Sequence, residues 1–217
     1  MTHPLLKVLL DAARGQPPAP DGTVEVLAPL PGAVDAVVTF TAHSYLAAEV
    51  DPELARSRLR PDDPGAATQP AFLTWLAGQL RTRAGQLDAV LAAPGLDGPP
   101  PLQLQSRGDL EHHHRVARAG RYRRDLRVFA SPGDVGVLVL GRGLAGRWEA
   151  AFEVEPKGRG HGLGRGLALA ARHLVPRGEH LFVQVSPGNA ASLRAILAAG
   201  YSPLGSEVLF PRRAPQG

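Results

Sequence analysis

The chain has 217 residues, 44% of them hydrophobic, and carries 24 Lys and Arg against 20 Asp and Glu, for a net charge of +4. That length holds one large or two small domains with a real core, and the charge is a mild bias toward anionic partners rather than a polyanion-binding footprint. There is no cysteine, which excludes disulfides, thiolate zinc sites and cysteine nucleophiles; no apolar run approaches about 18 residues and the N-terminus shows no signal-peptide pattern, so a soluble, cytoplasmic protein with no membrane partner is expected.

The spacing of apolar residues predicts a short amphipathic helix over 4–13, then a Pro/Gly-rich linker over 15–22. Val24 to Ala28 and Ala36 to Thr41 read as strands around a Pro31-Gly32 turn, and 42–49 either prolongs the second strand or turns helical. Asp51-Pro52 reads as an N-cap with proline at the first helical position, opening a helix to about Leu59. After a polar, Pro-rich loop, 71–83 is helical with Phe72, Leu76 and Leu80 on one face; Leu87 to Ala92 is a strand candidate, and 94–101 is a second Pro/Gly break.

Residues 107–127 hold seven arginines (107, 115, 118, 121, 123, 124 and 127) against Asp109, Glu111 and Asp125. A nucleic-acid surface is one reading. A solvated or phosphate-facing surface is the other, and the low net charge favours it, so nucleic acid is not expected as a partner. His112-His113-His114 would place His112 and His114 on one face of a strand near Glu111, but no second ligand pair stands at a recognised spacing, and no metal is expected.

Leu126 to Ala130 and Val135 to Leu140 form a hairpin around Ser131-Pro132-Gly133-Asp134. Trp148 to Val154 alternates with a period of two, and Pro156 ends that strand. From Leu163 the apolar positions 163, 167, 170, 171 and 174 follow a helical stripe until Pro176. Glycines 158, 160, 162 and 164 therefore fall where a helix begins. Bare backbone there lets a ligand approach, and the first helical amides point outward with the positive end of the dipole, which makes an anion site. Lys157, Arg159 and Arg165 add charge; the competing reading is a loop chosen for tight packing. A P-loop is excluded, because Gly-Lys-Ser/Thr is missing. The dinucleotide fingerprint fails too: started at Gly158, Gly160 or Gly162, its last glycine falls on Leu163, Arg165 or Leu167. Leu181 to Val185 reads as a central strand. A helix capped by Asn189 follows, with Leu193, Ile196 and Leu197 inward and Gly200 closing it; 201–204 and 207–210 suit a final hairpin.

Val154-Glu155-Pro156, leading into Arg159-Gly160-His161-Gly162-Leu163-Gly164, resembles the acyl-CoA motif of the GNAT superfamily of N-acetyltransferases, Arg/Gln-x-x-Gly-x-Gly/Ala after the fourth strand. Asn189, Ser192, Gly200 and Tyr201 resemble that family's downstream Asn-x-x-Ala/Ser and Gly-Phe/Tyr, and the resemblance covers roughly 126–210. The resemblance implies an α/β fold with a mixed, mostly antiparallel sheet flanked by helices: a GNAT-like acyl-CoA-binding core at 111–217 and an N-terminal α/β extension at 1–110 that shapes the acceptor pocket or is a degenerate second copy.

It further implies an N-acetyltransferase using acetyl-CoA as donor and an amine as acceptor, by direct attack, in a monomer or homodimer. The main chain of Phe152, Glu153 and Val154 would pair with the pantetheine arm, which enters where the fourth and fifth strands splay. The turn Arg159, Gly160, His161, Gly162, Leu163, Gly164 and Arg165 would hold the pyrophosphate, and Asn189 and Ser192 would touch the CoA arm. A fourth-strand carboxylate is the family's usual base. Glu149, Glu153 and Glu155 share one face of an unbroken strand, with Glu149 favoured and Glu153 next; a bulge, which the resemblance predicts, would shift that register, and pairing with nearby arginines is the competing role. Many members place a general-acid tyrosine where this chain has Ile196; Tyr201 takes a packing position, leaving water or Tyr122 to protonate the thiolate, or a catalytically silent acyl-CoA-binding domain as the alternative.

Overall fold

The computed structural model describes residues 2–60 and 62–212. Its helices are α1 (Pro4–Ala13), α2 (Pro52–Ser57), α3 (Pro70–Gln79), α4 (His114–Gly120), α5 (Leu163–Arg172) and α6 (Ala190–Ala198). Its strands are β1 (Val24–Leu27), β2 (Val34–Phe40), β3 (His43–Ala47), β4 (Leu87–Pro94), β5 (Gln105–Ser106), β6 (Arg124–Ala130), β7 (Gly136–Arg142), β8 (Trp148–Val154), β9 (His180–Val185) and β10 (Ser202–Pro211). Among the described residues no helix is long and apolar enough to cross a membrane. Packing divides the chain into two compact units, one of residues up to Val90 with those from Leu204 on, the other Leu91–Pro203. This boundary describes packing, whereas the 110/111 division read from sequence describes role.

In the first unit the strand order is β1-β3-β2-β10, with β1 parallel to β3 and the other two pairings antiparallel. Its core joins Val37 and Leu46 to Val208 and Phe210, roofed by Phe72 and Leu76 of α3. Asp51 caps α2 by accepting from the N–H groups of Glu53 and Leu54, as the Asp-Pro signal implies. The stretch 42–49 resolves as β3. The expected hairpin over 201–210 is instead the single strand β10. Gly205, between the two segments expected to pair, lies against Thr39 of β2, where a Cβ would strike the Thr39 carbonyl oxygen; the glycine admits a close backbone.

In the second unit the order is β4-β9-β8-β7-β6-β5, with β4 contributing from Leu91 on. β6, β7 and β8 form the antiparallel meander read from the alternating pattern, and β8 returns through α5 to the parallel β9. The mixed, mostly antiparallel sheet flanked by helices is thus the expected fold class.

Side-chain alternation separates the two faces of this sheet. On one, α5 buries Leu167, Ala168, Ala170 and Ala171 over β7 and β8, and Gly164 lies against Phe152 and Val154. On the other, Val116 and Ala119 of α4 pack on Val137 and Val139 of β7, with Leu126 and Val128 beside them.

Three local expectations are corrected here. His114 opens α4 rather than lying on a strand, because Val116 and Ala119 have an apolar face to cover; His113 is the N-cap, its Nδ1 accepting the Arg115 N–H at 3.2 Å. No bulge interrupts β8, whose register with β7 runs unbroken from Gly136↔Val154 to Arg142↔Trp148; the shift is in β6, between Arg124 and Arg127, where Asp125 takes φ 55°. Leu197 is 43% exposed, since α6 turns Leu193 and Ile196 toward the interior and Leu197 past it.

Candidate active site

The unbroken register of β8 fixes where its backbone points. Glu155 N–H donates to Val135 O at 2.8 Å, so odd-numbered residues of this strand bond to β7, and the N–H and C=O groups of Ala150, Phe152 and Val154 turn toward β9. Pairing with β9 covers only Trp148↔Leu181, Glu149↔Phe182 and Ala150↔Val183. Beyond Ala150 the two parallel strands part, and the backbone of Phe152 and Val154 faces the gap. An open strand edge of this kind accepts an extended ligand as an added strand. Glu153 does not share that role, because its own N–H and C=O belong to the β7 side.

The fork ends at the glycine turn. Glu155-Pro156 leaves β8, a short helical turn spans Pro156–Gly158, and α5 begins at Leu163 with Gly162 as its N-cap at φ 78°. The four glycines have different tasks. A Cβ on Gly158 would collide with Val135, so that glycine is a packing device. Gly160, at φ 83°, and Gly162 have nothing within 4 Å of a Cβ: positive φ and open space are what they supply. Gly164, in the first turn of α5, leaves ordinary contact distance to Phe152, Val154 and Ala195 of α6. The exposed turn therefore carries Arg159, His161 and Arg165 around the first amides of a ten-residue helix. Arg159 also bends back, its Nε donating to Val154 O at 3.0 Å, which ties the turn to the fork.

α6 packs beside α5, with Ala195 against Gly164. Asn189 Oδ1 accepts the Ser192 N–H at 3.1 Å, so the asparagine carbonyl is committed to capping and its amide NH2 is the group left for a ligand. Ile196 is 2% exposed and packs inward. Tyr201 is buried and donates to Ala168 O at 3.0 Å; burial pushes its hydroxyl well above the ordinary range, which suits a packing role and not proton donation.

The glutamates occupy the α4 face and have different surroundings. Glu149 lies where β8 and β9 are still paired and is 4% exposed. Its Oε1 accepts from Arg147 Nε at 2.9 Å and from Leu144 N–H at 3.1 Å, and its Oε2 accepts from Arg123 Nε at 2.8 Å. Arg147 is buried and lies over the Phe182 ring. Burial raises the Glu149 pKa, but the guanidiniums of Arg147 and Arg123 outweigh it and hold the carboxyl at about 2. Gly143 lacks a side chain because the Glu149 carboxylate fills that space.

Glu153 instead flanks the opened stretch of β8. Its Oε2 meets His114 Nε2 at 2.6 Å and Arg115 Nε at 3.2 Å. The pairing of glutamates with arginines, weighed from sequence, thus describes both. The partners are not legible in the sequence: Arg123 stands just before β6, Arg147 in the turn between β7 and β8, and His114 opens a helix where a strand was expected. The helical spacing of Val116 and Ala119 behind His113 was the available signal for that helix.

Four of the seven arginines in 107–127 are engaged within the unit: Arg107 with Asp109 and Asp134, Arg115 with Glu153, Arg123 with Glu149 and Gln184, and Arg127 with Leu174 O. That supports an internally paired surface over a nucleic-acid stripe.

No family model matches this chain, and no curated protein sequence does. Among solved structures the chain is similar to an acetyltransferase from the GNAT family of Colwellia psychrerythraea, at 13% identity and a TM-score of 0.43, over 78% of this chain and 76% of that one. It is similar to a GCN5-related N-acetyltransferase of Sphaerobacter thermophilus at 18% identity and a TM-score of 0.40, over 64% and 55% of the two chains. It is similar to another from Kribbella flavida at 18% and 0.42, over 67% and 64%. Likenesses this distant carry no argument about chemistry; the case rests on the fork, the turn and the charged face.

Proposed function

We propose that the second unit binds acetyl-CoA and transfers its acetyl group to an amine by direct attack. The observation that carries this reading is the fork: β8 leaves β9 after Ala150, and its exposed Phe152 and Val154 backbone leads into a Gly160–Gly162 turn at the start of α5. The turn would take the pyrophosphate on the amides from Gly160 to Arg165, and Phe152 and Val154 would pair with the pantetheine arm. The Val154 N–H, turned into the gap, is suited to the thioester carbonyl and the oxyanion that forms from it.

An amine acceptor with pKa near ~10 is protonated at neutral pH and must lose a proton before it attacks. Glu149, bonded at both oxygens and held at about 2, has little proton affinity and belongs to the scaffold. Glu153 flanks the open fork and is the carboxylate that serves deprotonation, either itself or through the imidazole it meets. Residues 1–110 are assigned to acceptor selection in the same proposal; helices α1 and α2 are capped by the side chains of His3 and Asp51, so neither offers the bare-backbone start a second CoA turn would need.

A second reading, acyl-CoA binding without transfer, is favoured by one observation: Ile196 is buried where a proton donor to the thiolate is common. A melting experiment with acetyl-CoA, followed by thioester loss in an amine library, separates the two. At 100 times Kd the cofactor stabilises by about 2.7 kcal/mol, which raises Tm by roughly 5–10 °C in a chain of this size. Gly160→Asp, whose side chain tolerates positive φ, should abolish the shift by placing a carboxylate at the phosphate position, while Gly160→Asn should keep most of it. No shift with any acyl-CoA would remove the cofactor assignment.

A further inference from the structure

His112-His113-His114 is the one motif the proposed chemistry does not use. His113, His114 and Glu153 offer ligand atoms within 4.8 Å of one another, which invites a metal. The geometry argues otherwise. The rings of His113 and His114 stack at 4.7 Å with planes 23° apart, so their in-plane lone pairs run side by side instead of converging on one ion. His113 Nδ1 is already an N-cap acceptor, and Arg115 Nε sits 3.2 Å from the same Glu153 oxygen that His114 meets. A cation is already in place.

What remains is a carboxylate–imidazole pair beside the open fork. His114 Nε2 stands 2.6 Å from Glu153 Oε2 in a close pair; a bare nitrogen lone pair that near a carboxylate would be repelled, so we place the hydrogen on Nε2 and leave the lone pair on Nδ1. The ring is 69% exposed, while Glu153 is only 21% exposed and further fixed by Arg115. This is the division of labour in which a held carboxylate orients an imidazole and sets its tautomer. We infer that His114 is the general base toward the amine acceptor, and that Glu153 acts through it as the positioning residue. This rests on the acetyl-transfer reading above.

The step balances. His114 Nδ1 takes one proton from the acceptor ammonium and passes it to water. The freed nitrogen lone pair forms the C–N bond to the thioester carbonyl, the C–S bond breaks with its electron pair on sulfur, and the second nitrogen proton leaves the adduct and neutralises the thiolate. The net change is an amide, a thiol and one proton released. The charged groups around His114 are Glu153 from β8, Arg115 on α4, and His113, His112 and Glu111 in the preceding turn.

The test has two arms. Long-range ¹H–¹⁵N spectra of the intact protein's imidazoles should show His114 as the Nε2–H tautomer, and Glu153→Gln should shift it toward a mixture; an Nδ1–H tautomer, or a spectrum indifferent to Glu153→Gln, overturns the pair. This arm needs neither cofactor nor acceptor. With acetyl-CoA and any amine that turns over, His114→Ala should lower kcat/KM by ~10²-fold or more, flatten the acidic limb of its pH profile, and recover partly with added imidazole, while the acetyl-CoA melting shift stays. Unchanged kcat/KM in His114→Ala overturns the base assignment. Absence of the melting shift in the wild type overturns the cofactor reading instead, and the tautomer result still decides the pair.

Discussion

Both oxygens of Glu149 are held, by two guanidiniums and a backbone amide, and Gly143 is kept bare to make room for the carboxylate. Breaking a buried pair from one side strands the opposite charge, so Glu149→Gln should destabilise the protein by about 3–5 kcal/mol in urea unfolding. The pH dependence follows from the same contacts. The folded carboxyl sits at about 2 against an ordinary 4.5, so the unfolded chain binds the extra proton between those values. The stabilisation is complete above about pH 4.5 and is lost as the pH falls toward 2. Unfolding curves across that window should steepen in the wild type and flatten in Glu149→Gln; equal slopes in both would mean the carboxylate is not held as described. The sequence showed three glutamates on one face of a strand but not which one was buried, because that depends on arginines 26 residues before and two before Glu149 meeting the same carboxylate.

Among the elements, the turn before α5 makes the sharpest distinction. Gly158→Ala forces a methyl onto Val135 inside packed surroundings and should cost about 1–3 kcal/mol. Gly160→Ala meets open space and pays only for its left-handed backbone, about 1 kcal/mol. Chemical denaturation of the two variants should rank them in that order, and the reverse ranking would sink the assignment of tasks within the turn. Much at this scale was legible. Trp148–Val154, α5, the Asn189 cap and the β6–β7 hairpin follow from periodicity and capping chemistry that act within a few residues. The helix that His114 opens is signalled locally by the spacing of Val116 and Ala119, whereas the continuous strand β10 in place of a hairpin has a non-local cause, the close approach of Gly205 to Thr39. The widening of β8 from β9 is equally non-local, and only the glycine motif and its family resemblance announced it.

For the whole molecule, the two packing units set where a ligand can be felt. Local pattern could not show that residues from Leu204 onward join the first unit, since β10 returns there only through long-range pairing with β2. All the residues assigned to the cofactor lie within Leu91–Pro203. A ligand that binds only the folded site raises the free energy of every opening that breaks that site, and leaves unchanged any opening in which the fork persists. Saturating acetyl-CoA should therefore slow amide hydrogen exchange at Phe152, Val154, the turn from Gly160 to Arg165 and the start of α6. Exchange from local openings in β1, β3 and α3 should continue at its unliganded rate. Gly160→Asp should erase the protection in the second unit without altering the first. Protection appearing in the first unit instead, with the fork unaffected, would place the nucleotide elsewhere and return the glycine turn to packing alone.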